Sequence, residues 1–404
     1  MRTTHYARLA RHVQQETVGL LQRELRPRDF SSRCPARTLL SCLVFAAAGH
    51  LALSAVAFLR SCCPSRETLR QALLETLPAY QQLLSQLPGL LQASLPRGLR
   101  PRARCRCRRR YPMAIDLHAV PYYKRQRIPP THVRKGKLLP GTAYSHQYAT
   151  ASLLRKGQYY AVALTPYDPG ESLVDVVKRL LRQAAKNGFV PRYVLMDRSF
   201  WSAPIFAYLQ RARYPFLLPV FARGKKPTEP GGPTGTHVFL HGRCRTGWYC
   251  YRVQDHSKKL SVRITIAVHR RNYRGWRGRR GRYTWAYGLW RMNLSTVAWV
   301  RQSYRRRFRI ESSYKLLEEC RGRTNTRNEG WRMWYVILAV LMLNLWLQTR
   351  HEKCRNGVAA LERWWKRVLA AIMFQMMYEP ALPGGTSQES ENPTPGICFG
   401  SSWS

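Results

Sequence analysis

The chain has 404 residues, 45% of them hydrophobic, with 68 Lys and Arg against 21 Asp and Glu, a formal net charge of +47 at pH 7. The apolar share excludes a disordered tail protein, and the length allows two or three domains. So large a positive excess calls for a polyanion, and charge spread along the whole chain suits nucleic acid better than a membrane surface.

Residues 1–95 read as helical. Leu39 to Leu59 is nearly free of charge and approaches membrane-spanning length, but its Ala and Ser content and the central Gly49-His50 favour two buried helices meeting there. Ser65 to Leu77 (SRETLRQALLETL) has a capping Ser and apolar residues at helical spacing. It suits either a helix-turn-helix recognition helix or an ordinary bundle helix. Residues 96–112 form a Pro-punctuated run of Arg, a linker that either tracks phosphates or is simply solvated. The eleven cysteines include two close groups, Cys62-Cys63 and Cys105 with Cys107, neither at zinc-ribbon spacing, so reduced thiols are expected. The N-terminus lacks the apolar core of a signal peptide.

From Tyr111 the pattern changes. MAIDLHAV (113–120), 147–154 and 159–165 read as strands, the last two as a hairpin. Ser172 to Asn187 reads as an amphipathic helix with Gly188 at its end, followed by strand YVLMD (193–197), helix 203–213 and strand FLLPV (216–220). The order β-β-β-α-β-α-β predicts an α/β fold, a mixed sheet with helices on both faces, and it is the element order of an RNase H-like fold. HVFLHG, GWYCYRV, LSVRITIAV and RYTWAYGLW then read as a β-rich insertion. Helix is expected to return from about Ala298 to Ser313, with a buried helix over Tyr335 to Thr349 and a Pro-, Gly- and Ser-rich tail from Pro380.

Acids are scarce, so their positions are informative. Asp116 and Asp197 sit inside or at the end of apolar strands, where an ionised carboxylate must be paired, capped or metal-bound. Asp197 could instead cap the next helix, and Asp116 could pair with an arginine. In YRRRFRIESSYKLLEE, residues Tyr304, Arg307, Glu311 and Lys315 fall within roughly 80° of one helix face.

Asp116 in its strand, Asp197 in LMDRSF, the β-rich insertion, the Y-x2-R-x3-E pattern ending at Glu311, and the downstream RTNTRN (323–328) with Asn344-Leu-Trp together resemble the DDE-type transposases of bacterial insertion sequences. The resemblance covers about residues 110 to 350. It implies Asp116, Asp197 and Glu311 as catalytic acids holding two Mg²⁺ or Mn²⁺ ions, and Tyr304, Arg307 and Lys315 as DNA contacts. Partners would be transposon ends and target DNA, with a homodimer on paired ends and no membrane, in the cytoplasm with the nucleoid. Trp248, Trp276 and Trp285 of the insertion could stack on a flipped base or simply pack the core. The family pattern continues with a lysine where this chain has Glu318; Lys315 and Arg321 lie one turn to either side.

The implied organisation is an N-terminal α-helical domain for DNA ends (1–95), a basic linker (96–112), an RNase H-like catalytic core in two parts (113–222 and 298–350) interrupted by the β-rich insertion (223–297), a C-terminal helix (351–379) and a disordered tail (380–404). A catalytically inactive DNA-binding derivative and a metal-dependent nuclease on the same fold are the alternatives.

Overall fold

In the computed structural model the described residues are 2–32, 34–60, 63–100, 109–123, 132–155, 158–241, 244–255, 257–274, 280–324, 326, 328–349 and 358–378. Most of the basic linker (101–108), the tail, and Cys62, Cys105, Cys107 and Trp276 therefore lie outside the described residues.

The two acid-bearing apolar runs form the central strands, β1 (Arg109–Pro121) and β5 (Phe189–Met196), which pair in parallel. On its other side β1 pairs antiparallel with β3 (Thr142–Arg155), whose far edge is shared by β4 (Gln158–Pro166) and β2 (Arg134–Leu139). The short β6 (Phe216–Pro219) lies parallel beside β5. The order β4-β3-β1-β5-β6 is the RNase H-like core expected from the sequence. Strand β2 was not anticipated, because RKGKLL has no apolar alternation; its pairing to an edge is made by backbone rather than by pattern.

Helices cover both faces. α6 (Leu173–Lys186) begins where Ser172 accepts a hydrogen bond from the Asp175 N–H, and ends at Gly188, whose φ of 82° suits glycine. With α7 (Ala203–Arg211) it packs on the side of Met113, Ile115 and Val194. On the opposite face Ala114, Leu195, Leu217 and Leu289 meet Val297, Val300 and Tyr304 of α9 (Val297–Arg305). The expected single helix over 298–313 is two: α9 ends at Arg305 and α10 spans Phe308–Glu319. At the junction the N–H groups of Arg306 and Arg307 bond to the carbonyls of Ser303 and Tyr304, a tightened i→i−3 turn.

The insertion joins the same sheet. β9 (Arg280–Trp290) pairs antiparallel with β6, then β8 (Leu260–Arg274) and β7 (Gly247–Asp255) extend the order to nine strands among the described residues. HVFLHG departs from its β reading: His237–Leu240 is a short helix, α8, whose Phe239 packs on Tyr249 and Tyr251.

The N-terminal helices are α1 (Arg2–Leu25), α2 (Ala36–Ala48), α3 (Leu53–Leu59), α4 (Arg66–Thr76) and α5 (Tyr80–Ala93). α2 and α3 meet at the Gly49-His50 turn with a bend of 105°. α2 is buried as expected, but α3 is not: Val56 is its buried residue, and Phe58 is 94% exposed. Ser65 caps α4 through the Thr68 N–H. These helices share one apolar core with α11 (Glu329–Thr349) and α12 (Val358–Tyr378). α11 is long and apolar enough to span a membrane, and 94% of its apolar window is buried inside the protein. Its Asn344 closes the outer edge of β4, bonding the N–H and carbonyl of Ala161 and also Ser94 Oγ.

Candidate active site

The parallel register sets Ile115 opposite Met196, so the next residue on each chain is an aspartate. Side chains alternate along a strand, which puts Asp116 with Ala114 and Asp197 with Leu195 on the face covered by α9 and α10. The backbones that carry the two acids are roughly 4.8 Å apart, the spacing of neighbouring strands. Asp197 is partly exposed, and its carboxylate accepts the Arg198 N–H at 2.6 Å, capping a 3₁₀ turn over Arg198–Phe200.

Asp116 is buried and pairs with a buried cation. Its Oδ2 accepts from Arg307 Nη2 at 2.9 Å, and its Oδ1 accepts the Leu117 N–H at 2.9 Å. The arginine pairing left open by the sequence is thus realised, and by a residue of the Y-x2-R-x3-E pattern. Burial pushes the Asp116 carboxyl up to about 6; Arg307 and the Leu117 N–H oppose that, and the Asp197 charge adds to it.

Glu311 falls in the first turn of α10, and its side chain lies outside the described residues. The helix that carries it is anchored one turn further on. Tyr314 stacks on His118 with ring centroids 4.9 Å apart and 6° between planes, and its hydroxyl hydrogen-bonds Thr150 Oγ1 at 2.5 Å. His118 follows Asp116 on the same strand face, and Thr150 is the cross-strand partner of Asp116. Burial, with the Arg321 charge second, pushes the His118 imidazole down to about 3, so it is neutral near pH 7. His118, Thr150 and Tyr314 were missed in the sequence. The period of two from Asp116 to His118 and the single turn from Glu311 to Tyr314 were the available signals.

The three expected DNA contacts separate. Lys315 is exposed, as is Glu318 at the family's lysine position. Tyr304 and Arg307 are 4% and 3% exposed, so they floor the site instead of facing solvent. Arg307 Nη1 donates to the Tyr304 hydroxyl at 3.3 Å, and the Tyr304 ring lies 5.2 Å from that of Tyr287. Further along the sheet, Trp248 is 43% exposed, while Trp285 is covered by Arg301 at 3.8 Å and stacks with Tyr283.

Among the described residues no group of three or more His, Cys, Asp and Glu is placed to hold a metal. The donors that do come together, two carboxylates on one rung, are hard oxygen ligands that suit Mg²⁺ or Mn²⁺. Burial, the main cause of the raised Asp116, and the charge of Asp197 both disfavour the ionised carboxylate, and a cation beside the two acids would favour it.

Comparison with known proteins adds three findings. A family model described as a transposase DDE domain matches residues 132–345, just over half of the chain; the span includes Asp197 and Glu311 and begins after Asp116. A piggyBac transposase, solved by cryo-EM as a synaptic complex with hairpin DNA, is similar at 12% identity and a TM-score of 0.42, over 95% of this chain and 74% of that one. No curated protein matches the sequence.

Proposed function

The chain belongs to the family of the transposase DDE domain, and we propose that it cuts DNA at transposon ends and joins the freed ends to target DNA, with Asp116, Asp197 and Glu311 as its catalytic acids. The observation that carries this reading is the parallel register that ends at Ile115 and Met196, with Asp116 next on β1 and Asp197 directly after β5, close enough for the Asp197 charge to act on Asp116. Two carboxylates held so close in a partly buried corner are costly to a fold unless they serve a cation.

These acids would hold Mg²⁺ or Mn²⁺, which supplies Lewis-acid activation of the attacking oxygen and stabilisation of the leaving one at phosphorus. Arg307 neutralises Asp116 and fixes its orientation, with Tyr304 buttressing the guanidinium. Lys315, exposed on α10, offers a charge to the phosphate backbone. Hydrolysis frees a 3′-hydroxyl, and that hydroxyl then attacks the opposite strand or the target. In this reading residues 1–95 recognise the ends, the segment 298–350 supplies Glu311, and two copies act on paired ends in the cytoplasm, with the nucleoid.

The test is Mg²⁺-dependent cleavage of DNA bearing the element's own ends by wild type, Asp116→Ala, Asp197→Ala and Glu311→Ala. Nicking and strand transfer by wild type, lost in all three variants while DNA binding persists, is the expected result. Cleavage that survives one substitution removes that residue from the catalytic set. Nicking without strand transfer points to a nuclease, and tight binding without cleavage to an inactive derivative.

A further inference from the structure

The N-terminal helices hold two thiols that the proposed chemistry does not use. Cys42 is fully buried on α2, and Cys63 is half-buried in the turn between α3 and α4. Their sulfurs are 3.2 Å apart. That is about an ångström longer than a disulfide bond of roughly 2.05 Å.

The surroundings favour reaction. The Cys63 N–H donates to the Arg60 carbonyl at 3.1 Å. The Arg60 guanidinium is buried, 3.9 Å from the Cys42 sulfur. A cation beside thiols favours the thiolate, the species that attacks. The hydrogen bond from Cys42 is the main influence holding the Cys63 thiol below its ordinary value, with Arg60 assisting against burial. The same hydrogen bond, followed by burial, pushes Cys42 well up. Cys63, half-buried where Cys42 is fully buried, is the accessible nucleophile.

We propose that Cys42 and Cys63 are a redox-active pair that closes an intramolecular disulfide on oxidation and staples the α3–α4 turn to α2. With glutathione disulfide as oxidant, the Cys63 thiolate attacks one of its sulfurs, releasing one glutathione thiolate and leaving Cys63 in a mixed disulfide. Cys42 attacks the Cys63 sulfur and passes its proton to the departing sulfur, so the second glutathione leaves as the thiol. Two electrons leave the protein pair and reduce one glutathione disulfide to two glutathione molecules. Ser65, the cap of α4, is two residues beyond Cys63, so the staple sets where α4 begins.

The experiment uses the full chain carrying Cys62→Ser, equilibrated with glutathione and glutathione disulfide at graded ratios, alkylated with iodoacetamide and mapped by peptide mass spectrometry. The expected result is a Cys42–Cys63 linked peptide, with both thiols lost together at one two-electron midpoint. Adding Cys42→Ala should leave Cys63 trapped as the glutathione mixed disulfide. The inference is overturned if Cys63 stops at the mixed disulfide with Cys42 present, links to Cys34 or another cysteine, or stays alkylatable at every ratio.

Discussion

Two acid clusters among the described residues are built in different ways. Between β2, the turn after β4 and the start of α11, the His132 ring stands between two acids: Nδ1 is 2.8 Å from Asp168 and Nε2 is 2.7 Å from Glu329. All three side chains are partly exposed, and Arg134 adds a hydrogen bond to the Asp168 carbonyl. At the ends of β1 and β5, by contrast, Asp116 is buried against Arg307, and the neighbouring charge of Asp197 still helps burial to raise it to about 6. In the first cluster each carboxylate faces the same ring and three elements are tied together. In the second, like charges are crowded where the sheet could have placed apolar residues. The first arrangement suits a fold, and the second suits a bound cation.

The largest effect that separates the two is on cleavage. Asp197→Asn should bring nicking to background while leaving the fold intact, because Asp197 is partly exposed and Asn can still accept the Arg198 N–H. His132→Ala should leave nicking per folded molecule unchanged. The reverse pattern in a nicking assay would exchange the roles of the two clusters.

Next is stability. Arg307→Ala strands a buried carboxylate and should cost the metal-free protein roughly 3–5 kcal/mol in denaturant melts. Adding Asp116→Asn should recover much of that loss; a strictly additive double variant would mean the pair is not coupled.

A pH effect follows from Asp116 alone. Its folded pKa of about 6 lies above the ordinary 3.8, so the folded state binds the proton more tightly than the unfolded chain. The metal-free fold should therefore lose stability as pH rises from about 4 to about 6, with the full penalty above that. In the difference between wild type and Asp116→Asn this step should appear with the variant more stable at pH 7. A flat difference would mean that Arg307 fully compensates.

The smallest effect belongs to the exposed cluster. His132→Ala should cost about 1 kcal/mol, since solvent screens its contacts with Asp168 and Glu329.

The acid pair was legible because MAID and YVLMD set single acids among apolar residues, and a parallel pairing of those strands makes the acids neighbours. The arginine that turns inward was less so. YRRRFR offers several basic residues, and it is the i→i−3 turn at Arg306 and Arg307, made in the fold, that breaks the helix there. β2 and α8 were hidden for a related reason: edge pairing and the packing of Phe239 decide them, and neither leaves a periodic trace in six residues. The exposure of α3 was equally unreadable, since a charge-free helix looks the same whether or not a neighbour covers it. His132, Asp168 and Glu329 meet only through tertiary structure, far apart in the chain.

The most direct test of the central claim is Mn²⁺ binding to the full chain, read by electron paramagnetic resonance. Wild type and His132→Ala should bind Mn²⁺ alike, and Asp116→Asn combined with Asp197→Asn should lose it. Binding by that double variant with wild-type stoichiometry and affinity would contradict the assignment of these two carboxylates to the metal.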